Sequence, residues 1–67
     1  MQFKCRLKII FVMRGIQQGE FAKKVGLSPA GISAIVNNRS LPSFPVLYRI
    51  SEELQMDFRE IWIRIDE

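Results

Sequence analysis

Sixty-seven residues with 48% hydrophobic content make one small folded domain rather than a disordered chain. One cysteine, Cys5, and no histidine exclude an intramolecular disulfide, a structural zinc site and a histidine-assisted nucleophile, and a lone thiol fits a reducing cytoplasm. The net charge of +3 hides an asymmetry: residues 1–40 carry seven cations against one acid, net +6, and residues 41–67 carry three against six, net −3, which suggests a polyanion partner for the first part.

The chain starts with an ambiguous segment. Phe3 and Cys5 alternate with Lys4 and Arg6, so a short strand is one reading. Leu7, Ile10 and Phe11 then recur at helical spacing, with Lys4, Lys8 and Arg14 off that stripe. Gly15 suits the left-handed position that ends this first helix. The longest apolar run, Ile9 to Met13, is five residues, too short to span a membrane. A cleaved secretory signal is not expected, because it would remove a helix the core needs.

A second helix is expected from about Gln18 to Val25, ended by Gly26, where a sharp turn needs positive φ. Ser28 can cap a third helix with its hydroxyl, and Pro29 suits the first helical position. Ile32, Ile35 and Val36 give the inward stripe of that helix. Asn37-Asn38 ends it, with Asn38 suited to the left-handed region. Ser43 or Phe44 caps a fourth helix with Pro45 in its first turn and Leu47, Ile50 and Leu54 buried. Asp57 and Glu60 are spaced as a capping box for a short fifth helix. The tail, Ile61 to Ile65, is β-branched and alternating, which reads as a strand. Counted as one strand, it puts Ile61, Ile63 and Ile65 on one face and leaves Trp62 partly exposed on the other.

The segment 18–37, QGEFAKKVGLSPAGISAIVN, places Phe21, Ala22, Val25, Leu27, Ile32 and Ile35 where two crossed helices touch. That is the spacing of a helix-turn-helix, whose second helix enters the major groove of DNA. With Gly15-Ile16-Gln17-Gln18, Ser28, Ser33, Asn37-Asn38-Arg39, Pro42-Ser43 and Leu54, it resembles the phage Cro/repressor-like, or lambda repressor-like, helix-turn-helix family over about residues 7 to 62. The resemblance implies a small residue at Ala22, glycine at Gly26 and a branched apolar residue at Ile32, and all three are present. The chain resembles very short bacterial members that are one such domain with a strand at each end. The expected fold is therefore all-α, five helices over residues 1–67, with Phe3-Lys4-Cys5 and Trp62 to Ile65 as an optional two-stranded sheet.

The resemblance also implies site residues. Gln18, at the start of the second helix, looks like a phosphate contact. Pro29, Ala30, Ser33, Ala34 and Asn37, with Ser28 at the helix start, would face base edges. Asn38, Arg39 and Ser40 look like phosphate binders. Three departures are visible. The reading face lacks the Gln, Arg or Lys that make bidentate base contacts. Val36 stands where many relatives have glutamate. Gly31 sits inside a helix, which costs roughly 1 kcal/mol against alanine, and either close packing or close approach to DNA could require it.

No acid, base or metal constellation converges, so no enzyme, cofactor or small-molecule ligand is expected. The expectation is a cytoplasmic, sequence-specific transcriptional regulator bound to double-stranded DNA, a repressor acting as a homodimer on a palindromic operator. Trp62 and Ile63 are the candidate dimer contact. The alternative is an antitoxin-like or other protein-interaction module with the same fold.

Overall fold

The computed structural model describes residues 2–65. Strand β1 (Phe3–Cys5) leads into helices α1 (Leu7–Arg14), α2 (Gln18–Lys24), α3 (Pro29–Val36), α4 (Phe44–Leu54) and α5 (Phe58–Ile61), and strand β2 (Trp62–Arg64) follows directly. The helix boundaries come from local chemistry. Gly15 takes φ +65°, and the Ile16 N–H donates back to the Phe11 carbonyl at 2.8 Å. Gly26 takes φ +77°, which lets the Leu27 N–H reach the Ala22 carbonyl at 2.8 Å. A Cβ at Gly26 would also stand 3.0 Å from the Arg49 guanidinium. Asn38 adopts φ +62°, as its side chain favours. Gln55 adopts φ +56° at the end of α4 with no such preference, and the Arg14 Nη1–H donates to the Leu54 carbonyl at 2.7 Å beside it. A cation at a helix C-terminus is favourable. Asp57 and Glu60 form the expected capping box, with bonds of 2.8 Å and 3.1 Å.

Every helix contributes to one core. Leu7, Ile10 and Phe11 of α1 meet Phe21 and Ala22 of α2 together with Val25 at its end, Ile32, Ile35 and Val36 of α3, Ile50 and Leu54 of α4, and Ile61 of α5. The Phe11 and Phe21 rings pack at 4.9 Å between centroids, tilted by 53°. Ala22 is 1% exposed where α2 meets α3. A larger side chain there pushes the two helices apart. Ala22→Leu is expected to cost about 1–3 kcal/mol, enough to lower the melting temperature of so small a domain by many degrees. An unchanged melting temperature would mean the helices do not touch at that position.

Strands β1 and β2 pair antiparallel, with Phe3 opposite Arg64, Lys4 opposite Ile63 and Cys5 opposite Trp62. The tail differs from the sequence expectation. Trp62 is 6% exposed and belongs to the core, whereas Ile63 and Ile65 are 37% and 53% exposed. The physical reason is that Ile61 is still helical. The alternation begins at Trp62, so the large ring takes the inner face with Cys5 across from it, and Ile63 joins Lys4 on the outer face. Trp62 is therefore a core residue and not part of an exposed contact patch. Burial pushes the Cys5 thiol above its ordinary pKa, while the Leu7 backbone acts in the opposite sense. It is a neutral filler of the core at physiological pH.

Candidate nucleic-acid interface

Helix α3 buries Ile32, Ile35 and Val36, so its other face points to solvent. Pro29, Ala30 and Asn37 are exposed, and Ser33 and Ala34 are half-buried along that face. The Ser28 Oγ accepts the Gly31 N–H at 3.0 Å and caps the helix. A Cβ at Gly31 would lie 3.2 Å from that oxygen, a tight contact with the capping hydroxyl, and 3.7 Å from the Leu27 side chain, an ordinary one.

The polar groups of the face bind one another. The Asn37 Nδ2 donates to the Ser33 carbonyl at 2.9 Å and to the Ser33 Oγ at 3.2 Å. The Arg39 Nη2 donates to the same Oγ at 3.4 Å. Ser33, Asn37 and Arg39 thus form one solvent-facing cluster, drawn together by one helical turn between Ser33 and Asn37 and by the left-handed turn at Asn38. That i, i+4 spacing was visible in the sequence and would have disclosed the pair. The Asn37 Oδ1 is not used by these bonds. An asparagine that releases its amide from Ser33 would present the acceptor and donor pattern that matches adenine.

Asn38 has a second role that the sequence did not disclose. Its Oδ1 accepts the Cys5 N–H at 2.7 Å, a bond across 33 residues that ties the loop after α3 to β1. Arg39 and Ser40 beside it are exposed. Gln18 is half-buried at the start of α2, where Gln17 occupies the cap position without a side-chain bond to the first turn. Lys23 and Lys24 are exposed on α2, and Lys23 lies 3.8 Å from Glu20 in a pair too open to hold either charge firmly.

Helices α2 and α3, the glycine turn between them and the flanking cations are the parts of a DNA-reading unit, and the comparison with known families decides which one. The Cro/C1-type helix-turn-helix model matches residues 7–61. This chain belongs to the Cro/C1-type helix-turn-helix family. The family is one of DNA-binding regulatory domains, so the chain is a DNA-binding transcriptional regulator whose partner is double-stranded DNA. No curated protein matches the chain. Among the described residues, no helix is long and apolar enough to cross a membrane, and no three His, Cys, Asp or Glu groups gather as a metal site.

Proposed function

We propose that this protein is a cytoplasmic repressor that binds a palindromic operator as a homodimer and blocks polymerase by occlusion. It needs no cofactor or small-molecule ligand. The observation that carries the reading is the exposed polar cluster Ser33, Asn37 and Arg39 on the face of α3 opposite the core. In this reading Ser33 and Asn37 face base edges, and Ala30 and Ala34 meet thymine methyl groups. Ser28 and Pro29 bring the start of α3 to the groove. Arg39, Ser40, the free amide of Asn38 and the start of α2 at Gln18 grip phosphates.

The test separates reading from positioning. Arg39→Ala is expected to weaken specific and non-specific duplexes about equally. Asn37→Ala and Ser33→Ala are expected to reduce discrimination between sites, by about 1–3 kcal/mol per lost base contact. Binding titrations on operator and scrambled duplexes measure both. Equal losses from all three variants with no change in site preference would reject α3 as the reading helix.

Dimerisation is assigned to the outer face of the sheet, where Ile63 is exposed. A twofold pairing there would have to set two α3 helices about 34 Å apart to fit successive major grooves. Ile63→Asp should leave a folded monomer in sedimentation experiments; an unchanged dimer would move the interface elsewhere. The antitoxin-like reading keeps one specific support. Val12 and Met13 of α1 are 78% and 77% exposed, an apolar surface that a protein partner could cover. A stable complex with a neighbour-encoded protein would favour it.

A further inference from the structure

A cleft of about 640 Å³ lies between β1 and the loop that follows α3. Its β1 wall lies outside the family match, which begins at residue 7, so this part of the site is not supplied by the helix-turn-helix. Lys4 stands on the β1 side with Gln2 and Phe3, Asn38, Arg39, Ser40 and Leu41 on the loop side, and Trp62 and Ile65 of the tail also line it. The bond from the Cys5 N–H to the Asn38 Oδ1 fixes the two sides against each other.

The charged groups of this cleft are cations, and Gln2 and Ser40 can donate as well as accept. The Asn38 oxygen is occupied by Cys5, which leaves its amide N–H groups. Lys4 and Arg39 are donors only. None of the described lining residues is acidic. Two cations and an excess of donors complement an anion that only accepts. The volume is larger than one phosphate group and leaves room for the sugars on either side of it.

We propose that this cleft takes one phosphodiester of the DNA backbone, held jointly by Lys4 of β1 and Arg39 of the loop. The proposal rests on the reading of α3 as the groove helix, because the Arg39 Nη2 also lies 3.4 Å from the Ser33 Oγ of the reading face. The strand pair would then do more than close the core. It would clamp the backbone next to α3 and fix the depth at which that helix enters the groove.

The test is the salt dependence of duplex binding by the full chain and by Lys4→Gln, Arg39→Gln, the double variant and Lys8→Gln. Lys8 is exposed outside the cleft and removes the same charge. Lys4→Gln and Arg39→Gln are each expected to weaken all duplexes alike. Because the two cations share one phosphate, the double variant should lower the log–log salt slope by about 0.9 in total. Lys8→Gln should change it less. Lys4 is exposed, so its variant should melt as the wild type does. A Lys4→Gln chain that binds duplexes as tightly as the wild type or as Lys8→Gln, with Arg39→Gln still impaired, overturns the cleft and leaves the reading of α3 standing. A double-variant loss of twice the expected slope overturns the shared phosphate. A wild type that binds no duplex removes both readings. Inorganic phosphate, titrated against the emission of Trp62, identifies the source of the anion. No saturable change is expected in the millimolar range, and saturation there would assign the cleft to free phosphate instead of DNA.

Discussion

Trp62→Ala is expected to leave the chain largely unfolded. The ring is buried against the core and opposite Cys5 in the strand pair. Truncating a core tryptophan to alanine costs about 3–5 kcal/mol. A domain of this size rarely holds more than about 3–5 kcal/mol in total. The indole N–H has no partner among the described residues, so Trp62→Phe loses no hydrogen bond and should stay folded. Thermal melts followed by circular dichroism separate the two variants. A Trp62→Ala chain that melts as the wild type does would mean that β2 is not docked on the helices.

The second large effect is on DNA affinity. Ser33 and Asn37 are the polar side chains of the α3 face, so base contacts contribute modestly and phosphates carry much of the binding. Each neutralised phosphate lowers the observed constant by about 0.9 log units per log unit of salt. A complex with roughly six such contacts loses about 10³ in affinity between about 50 and 200 mM salt. No histidine is present to add a titration near neutral pH, so the salt response should keep its slope across that range. Equilibrium titrations at several salt concentrations measure it. Binding that does not respond to salt would contradict a phosphate-dominated interface.

Most of the helix boundaries were legible because each rests on a residue with a strong local preference. Gly15, Gly26 and Asn38 take positive φ, Ser28 and Asp57 cap, and Pro29 and Pro45 sit in first turns. The helix-turn-helix was legible for the same reason, since Ala22, Gly26 and Ile32 meet steric demands that few other residues satisfy. The tail was misread at one residue. Ile61 fits both a helical stripe and a strand alternation, and short apolar segments do not distinguish the two periods. Assigning it to the strand inverted every side chain after it, as a one-residue slip must. Gln55 carries no signal for its positive φ. The tie between Asn38 and Cys5 spans 33 residues and depends on how the strand docks, which no local pattern encodes.

The most direct test of DNA reading by α3 is a nuclear magnetic resonance titration of the isotope-labelled chain with a short duplex at low salt. The largest amide shifts are expected at Gln18, from Ser28 to Ala34 and from Asn37 to Ser40, with the exposed α1 residues Val12 and Met13 unaffected. Shifts confined to α1 or to the outer face of the sheet, or no shifts at all, would contradict DNA recognition by α3.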